Sequence, residues 1–115
     1  MDTNKRSSSE WVVYFLDETV LEEFYQLPKD LQASIFHVIE LIVEFGLLRI
    51  GKPYVKHIED KIWEIRAKGK SGIARALYVA LRGKRVYILR VFQKKSGKLR
   101  RQDIEIAKER ARRIE

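Results

Sequence analysis

Residues 62–94, IWEIRAKGKSGIARALYVALRGKRVYILRVFQK, contain three strand-like runs separated by two short turns. The runs at residues 62–68, 73–81 and 85–94 are rich in β-branched and aromatic residues and alternate between two faces, as strands of a sheet do. Each link between them contains a glycine beside polar residues, which is typical of hairpin turns. This stretch therefore predicts a meander of three antiparallel strands.

Helical patterns precede the meander. A short apolar strand at residues 11–16 is followed by a helix that Asp17 or Thr19 can cap and that ends before Pro28. A second helix follows, with apolar residues at helical spacing, and Gly46 is its predicted stop. These two helices are predicted to form an antiparallel hairpin with one apolar face.

The remaining segments complete the predicted fold. Residues 49–61 are predicted to form a loop, because Gly51 and Pro53 interrupt any regular element. A last helix is predicted over residues 100–114. The order is then β-α-α-β-β-β-α, an α+β fold with a mainly antiparallel four-stranded sheet, an N-terminal helical hairpin and a C-terminal helix. We expect the first strand to join an edge of the meander and the helices to cover one face.

The composition indicates one folded domain and is compatible with a reducing cytoplasm. Residues 11–115 are expected to form the domain, and residues 1–10 a disordered polar tail. The chain has no cysteine, which excludes disulfides, thiolate nucleophiles and zinc–thiolate sites. No signal-peptide pattern and no membrane-spanning apolar segment is recognised, so a cytoplasmic location without membrane association is expected.

Positive and negative residues are unevenly distributed along the chain. Residues 1–48 hold three Lys or Arg and nine Asp or Glu, a net charge of −6, whereas residues 49–115 hold twenty-one and seven, a net charge of +14. Positive potential concentrated in this way points first to a polyanion such as nucleic acid. An anionic membrane surface is disfavoured, because no predicted helix pairs a lysine-rich face with exposed Trp or Phe. An acidic protein partner is a further candidate.

Alternation along the meander brings charged side chains to one face of the predicted sheet. They are Glu64, Arg66, Lys68, Arg75, Lys94 and Lys95. Neighbouring strands lie ~4.8 Å apart, so these side chains can converge. For any one of them a solvated sheet face is the alternative, but the set together favours a site that binds phosphate.

Such a set suits the cleavage of RNA. The 2′-hydroxyl of RNA attacks the adjacent phosphorus, so a protein need only move protons and stabilise the phosphoryl charge. Arg66 and Arg75 suit charge stabilisation, because a guanidinium stays charged and matches phosphate geometry. Lys94 or Lys95 can exchange protons if neighbouring cations lower its pKa from ~10.4. Glu64 is predicted to hold Arg66 in place rather than to act as a base.

Other residues are weaker candidates. His37 is predicted to lie at the edge of the core, and His57 is a minor candidate for RNA contact. The two histidines form no metal motif, so neither a metal nor a cofactor is expected. Trp63, Tyr78 and Tyr87 are predicted to share one face in the core. The residues predicted to contact RNA are Lys68, Lys70, Arg90, Phe92, Lys98, Arg100 and Arg101, with burial as an equal alternative for Phe92.

Four pieces of the sequence, in order, resemble the RelE superfamily of bacterial toxins, and most closely its HigB-like, phage-derived branch. The pieces are IWEIR at 62–66, IARALY at 73–78, VFQKK at 91–95 and IEIAKER at 104–110. That branch typically shows an aromatic-Glu-aliphatic-Arg strand, a strand with Arg before an apolar-aromatic pair, a Phe-x-Lys-Lys ending and an Ala-containing basic helix. The resemblance covers about residues 11–115.

The resemblance implies a metal-independent mRNA endoribonuclease, or mRNA interferase, of a type II toxin–antitoxin system. Such toxins inhibit translation, and most of them cut messages in the ribosomal A site. The implied partner is a cognate antitoxin, which for this branch is commonly a helix-turn-helix DNA-binding protein. Residue by residue, Arg66, Arg75, Lys94 and Lys95 match basic positions of the family.

The sequence departs from the family near the start of the last helix. Some relatives place a Tyr or His there as a proton carrier or base-stacking platform, whereas residues 98–103 read KLRRQD. The identity of the general acid and base is therefore open. Two alternatives to an endoribonuclease follow: a protein that binds RNA or the ribosome without catalysis, and an antitoxin-binding protein whose activity has decayed.

Overall fold

The computed structural model describes residues 9–94 and 98–114, which form a five-stranded sheet with helices on both faces. The elements are β1 (Val12–Phe15), α1 (Glu18–Tyr25), α2 (Lys29–Phe45), β2 (Val55–Glu59), β3 (Ile62–Gly69), β4 (Gly72–Leu81), β5 (Arg85–Gln93) and α3 (Arg101–Ala111). Short 3-10 turns follow α2 at Leu47–Arg49 and α3 at Arg112–Ile114. The predicted α+β class, with a mostly antiparallel sheet, is confirmed.

The strand order β1-β5-β4-β3-β2 contains the predicted meander of β3, β4 and β5. β1 joins the β5 edge in parallel. The loop predicted over residues 49–61 is wrong in part, because β2 lies within it and pairs antiparallel with β3. The sheet therefore has five strands rather than four. β2 reads VKHIE, a short segment without apolar alternation, so its pairing with β3 supplies a stabilisation that its composition does not reveal.

Helices cover both faces of the sheet. The α1–α2 hairpin packs residues such as Ile35 against Ala76 of β4. α3 packs Ala107 against Leu77, which projects from the opposite face of the same strand. The expectation that the helices cover only one face is therefore wrong. Residues 74–79 of β4 are all buried, as expected for a strand covered on both sides.

The ends of the helical hairpin follow from local capping. Asp17, rather than Thr19, caps α1, because its carboxylate accepts a hydrogen bond from the backbone N–H of Val20 at 3.0 Å. α2 begins after Pro28 and ends at Gly46, whose φ of 89° is readily adopted only by glycine. The predicted helix boundaries at Pro28 and Gly46 are confirmed.

Residues 1–8 of the predicted tail lie outside the described residues. Ser9 belongs to the folded body, because its hydroxyl donates to the carbonyl oxygen of Ile42 near the end of α2, at 3.3 Å. Within the described part of the chain, no helix combines the length and the apolar character needed to cross a lipid bilayer.

A β-bulge in β5 changes which of its side chains share a face. Leu77 of β4 pairs with Arg90, but the next residue, Tyr78, pairs with Ile88. Leu89 is therefore an extra residue in β5. Strict alternation would place Ile88 and Arg90 on the same face. In the structure Ile88 packs under the helical hairpin, whereas Arg90 lies opposite Leu77 on the α3 side.

Carboxylates tie α1 and α3 to this bulged strand. Arg90 donates its Nε to Asp103 at 2.9 Å and a terminal nitrogen to Glu23 at 2.8 Å, and its other terminal nitrogen lies 2.9 Å from Asp103. Glu23 also accepts from the backbone N–H of Val91 at 3.0 Å and from Arg110 at 3.1 Å. All three guanidinium nitrogens of Arg90 are thus engaged within the protein, which argues against its predicted contact with RNA.

Removal of the Asp103 carboxylate tests this network. Asp103 is 0% exposed, and its loss leaves the largely buried guanidinium of Arg90 with a single carboxylate partner. We expect Asp103→Ala to lower the free energy of unfolding by about 3 kcal/mol, measured by urea denaturation. The control is Glu105→Ala, which removes an exposed carboxylate of the same helix and should change stability by about 0.5 kcal/mol or less. Equal losses in the two variants would contradict the structural role of Arg90.

Candidate nucleic-acid interface

Three neighbouring strands place a row of side chains on the face of the sheet that carries α3. Arg66 of β3 pairs with Arg75 of β4, and Arg75 pairs with Phe92 of β5. Residues directly opposite one another project to the same face, so these three side chains form one row. The backbone N–H of Lys94 donates to the carbonyl oxygen of Ile73 at 2.8 Å, which extends the pairing by a further row.

One carboxylate is buried beneath these cations. Glu64 is 0% exposed, and its Oε2 lies 2.5 Å from a terminal nitrogen of Arg75, which is itself only 6% exposed. The Nε of Arg66 lies farther away, at 4.0 Å from the Glu64 Oε1. The expected pairing of Glu64 with Arg66 is therefore present at this longer distance, but the close partner of Glu64 is Arg75. Glu64 Oε1 and Arg75 Nε have no hydrogen-bond partner among the described residues.

The surroundings of Lys94 lower the pKa of its ammonium group. Partial desolvation is the largest cause that lowers the pKa of Lys94, and the positive charges of Arg75 and Arg66 follow. Glu64 acts in the opposite direction but is outweighed. The lowered pKa of Lys94 has the predicted direction, but desolvation contributes more to it than the neighbouring cations that the prediction named. Lys95, its predicted alternative, lies outside the described residues.

Lys56 is a member of this cluster that the sequence reasoning missed. It lies on β2 opposite Glu64, so it projects to the same face, and its charge contributes to the lowered pKa of Lys94. A loop has no defined faces, so the loop predicted for this segment offers no reason to place Lys56 here. We refer to Lys56, Arg66, Arg75 and Lys94 as the cationic face.

Two of the predicted RNA contacts lie at the hairpin between β3 and β4, with Lys68 in β3 and Lys70 in the turn. Lys68 and Lys70 are exposed, and neither forms an ion pair within the described residues. The Asp30 carboxylate holds the turn, because it accepts hydrogen bonds from the backbone N–H of Ser71 at 2.8 Å and from its hydroxyl at 2.7 Å. The two lysines therefore extend positive charge beyond the cationic face from a well-supported turn.

Phe92 was predicted either to contact RNA or to be buried, and its side chain is partly buried. Its ring is partly buried against the cluster under α3, with the Arg90 guanidinium 5.8 Å from the ring centroid. It also stands opposite Arg75 in the row described above. Part of the aromatic surface therefore borders the cationic face.

The predicted contacts at the start of α3 are largely paired with carboxylates. Arg100 lies 3.3 Å from the carboxylate of Asp103, with 62% of its side chain exposed. Arg101 is paired with Glu59 and lies 3.2 Å from Glu105. Lys98 is exposed beside them. These pairings brace α3 against β2 and weaken the case for Arg101 as an RNA contact.

For three of the histidine and aromatic side chains, the burial or the side of the sheet differs from the prediction. His37 is exposed on α2 rather than at the edge of the core. Trp63 is 38% exposed and packs beside His57, with 5.1 Å between ring centroids. Tyr78 is buried in the core as predicted, but Tyr87 packs on the α3 side, because the β5 bulge reverses the alternation.

The lowered pKa of Lys94 gives a direct test of the cationic face. Arg66→Gln removes one neighbouring cation, so we expect the pKa of Lys94 to rise toward its ordinary value of 10.5 without reaching it, since desolvation and Arg75 remain. NMR titration of the Lys94 side chain measures this shift. Arg85→Gln, at the far end of β5, should leave the pKa unchanged, and an unchanged value in Arg66→Gln as well would contradict the proximity of Arg66 and Lys94.

The same shift has a consequence for stability. A lysine whose pKa is lowered in the fold binds fewer protons than the unfolded chain just below the ordinary lysine pKa. The wild-type protein should therefore gain stability as the pH rises through that window, and Arg66→Gln should gain less. Denaturation curves across this pH range measure the difference.

The chain matches a known family across the segment that builds this interface. No curated protein sequence matches the chain. A family model described as "Phage derived protein Gp49-like (DUF891)" matches residues 22–112, which is most of the chain and includes β2 to β5 and α3. The protein belongs to this phage-derived Gp49-like family, a RelE/toxin-like family of toxin–antitoxin systems.

Proposed function

We propose that this protein is the toxin of a type II toxin–antitoxin pair and a metal-independent mRNA endoribonuclease of the HigB-like branch of the RelE superfamily. The observation that carries the proposal is the cationic face, where Lys56, Arg66, Arg75 and Lys94 meet above the buried carboxylate of Glu64. The excess of positive charge suits a polyanion. Membership of a toxin-like family supports the role as a toxin.

The proposed substrate is the backbone of mRNA, bound to the ribosome as the resemblance to the RelE superfamily implies. Arg66 has 37% of its side chain exposed, so its planar guanidinium can approach a phosphate. Lys68, near the end of β3, and Lys70, in the turn that follows, lie beyond it, and they extend the positive surface along a strand of nucleotides. RNA is favoured over DNA because its 2′-hydroxyl serves as the nucleophile.

The chemistry requires little from the protein. The 2′-oxygen bonds to the adjacent phosphorus and loses its proton to solvent, while the bond from phosphorus to the 5′-oxygen breaks. The products are a 2′,3′-cyclic phosphate and a 5′-hydroxyl. Arg66 stabilises the additional negative charge on the phosphoryl oxygens. Lys94, whose lowered pKa makes its ammonium group a stronger acid, protonates the leaving 5′-oxygen.

Arg75 acts only indirectly in the proposed reaction. Its guanidinium is buried and paired with Glu64, so it is poorly placed to grip a substrate phosphate. Its charge nevertheless contributes to the lowered pKa of Lys94. Arg75 is therefore a positioning residue that acts through Lys94, whereas Arg66 and Lys94 are the proposed catalytic residues.

The proposed protein partner is a cognate antitoxin, a helix-turn-helix DNA-binding protein as the resemblance to the HigB-like branch implies. An acidic segment of that partner would be complementary to the cationic face. Its binding there would exclude RNA by competition for Arg66 and Lys94.

A second candidate function is RNA binding without catalysis. Two observations favour it: Glu64 already neutralises Arg75, and residues 98–103 contain no Tyr or His. In that case the same face binds RNA with strong salt dependence, and the RNA stays intact.

Substitution at the cationic face separates these two functions. We expect Arg66→Ala and Lys94→Gln each to slow RNA cleavage by about 100-fold, the typical loss for a charge stabiliser or a general acid. Wild-type cleavage should also slow as the pH rises through the pKa of Lys94, because a general acid acts only when protonated, and Lys94→Gln should lack this dependence. Single-turnover cleavage and mapping of RNA 5′ ends after induction measure these effects.

Arg85→Ala is the matched control for the catalytic variants. Arg85 is an exposed arginine that opens β5, seven residues before Phe92 and so roughly 23 Å along the strand from the cationic face. Its loss should leave cleavage unchanged. Intact RNA after incubation with the wild-type protein, together with salt-sensitive binding, would establish the second candidate function instead.

A further inference from the structure

A cleft lies between α2 and the margin of β3. β2 begins only at Val55, so in the described part of the chain residues 66–68 of β3 have no neighbouring strand on that side. The backbone there is held in other ways: the N–H of Arg66 donates to the carbonyl oxygen of Tyr54 at 2.8 Å, and the hydroxyl of Ser34 donates to the carbonyl oxygen of Lys68 at 2.7 Å. These bonds fix the two walls of the cleft relative to each other.

The cleft is lined by both apolar and polar side chains. Val38, Ala67 and Ile73 contribute apolar surface, and Tyr54 and His37 bring two aromatic rings to it. The volume is about 480 Å³, within the range of small-molecule sites. The His37 side chain is exposed on α2, so its ring edge is accessible to a ligand.

The cleft is continuous with the cationic face. Arg66 belongs to both, and Lys68 adds a second cation to the cleft lining, which includes no carboxylate among the residues that the structure describes. A polyanionic strand that contacts Arg66 therefore passes the mouth of the cleft. Of the parts of such a strand, a nucleobase is complementary to an apolar cleft flanked by aromatic rings. Every base has an apolar face that stacks on aromatic rings, and a polar edge.

We propose that this cleft receives one nucleobase of the single-stranded RNA held on the cationic face. The inference rests on the proposed function for the presence of RNA, but it adds a subsite that the phosphate contacts alone do not require. Tyr54 and His37 flank the base, and Arg66 holds the phosphate beside it. The subsite makes one position of the bound strand sensitive to the presence and identity of its base.

Binding measurements test the subsite without dependence on cleavage. The probe is a short single-stranded RNA with 2′-O-methyl riboses, which block the nucleophile, and a set of strands in which one position at a time lacks its base. We expect fluorescence anisotropy to show that loss of the base at one position weakens binding about tenfold, the typical effect of one stacked base. Losses at the other positions should be smaller.

Ala33→Leu fills the cleft without touching a charge. Ala33 is exposed on α2 and lines the cleft, so the variant should fold. It should weaken binding of the intact strand about tenfold and leave binding of the sensitive abasic strand unchanged. Ala80→Leu is the matched control, since Ala80 is also exposed but lies elsewhere, on β4. His37→Ala is a second variant and should reduce the same base dependence.

The outcomes distinguish failure of the subsite from failure of the proposed function. Equal binding of all abasic strands to the wild-type protein, or unchanged binding by Ala33→Leu, overturns the subsite while the phosphate contacts stand. Base-dependent binding without any cleavage of unmodified RNA supports the subsite and overturns the enzymatic function. Absence of RNA binding overturns both. Loss of antitoxin binding by Ala33→Leu, with RNA binding unchanged, would assign the cleft to a protein partner and overturn the subsite.

Discussion

The buried ion pair between Glu64 and Arg75 is the constraint on which the cationic face depends. It crosses the middle of the sheet, where neither partner has appreciable access to solvent. A buried charge without a partner is strongly destabilising, so each of these residues requires the other. The pair also limits the mutual repulsion of the surrounding cations, since the Glu64 carboxylate counters the lowering of the Lys94 pKa. The fold can therefore keep Arg66 and Lys94 close together, with the Glu64 carboxylate 4.0 Å from the Nε of Arg66.

α3 determines how much of this face is open. Its small residues Ala107 and Ala111 pack over the part of the sheet that includes Ile62, Leu77 and Leu89. The charged rows beyond them offer no comparable apolar surface. The contacts of Asp103 with Arg90, and of Arg101 with Glu59, hold the helix at that end. This side of the sheet is thus buried under α3 at one end and forms the cationic face at the other.

Local patterns predicted most of the fold, because three alternating strands, a proline and a glycine carry their signals within a few residues. β2, the bulge at Leu89 and the side on which α3 packs depend on partners distant in sequence, so alternation alone did not reveal them. The residues of the candidate site also fall into those that local patterns predicted and those that depend on distant partners. Arg66, Arg75 and Lys94 were predictable from strand alternation and from the family resemblance. Lys56 was not, since its strand was missed, and the internal pairing of Arg90 was not, since its partners Glu23 and Asp103 come from two different helices.

The parallel contact between the first and last strands has a consequence for the order of assembly during translation. Val12 pairs with Arg85, and Glu23 accepts a hydrogen bond from Arg110, so both ends of the chain are joined by contacts that close very long loops. A nascent chain can form its helical hairpin early, but β1 has no strand to join until β5 has left the ribosome. The surface around Arg66 and Lys94 likewise needs β3, β4 and β5 together. The topology therefore keeps a growing copy incomplete, and its charged surface unassembled, until β5 has been synthesised.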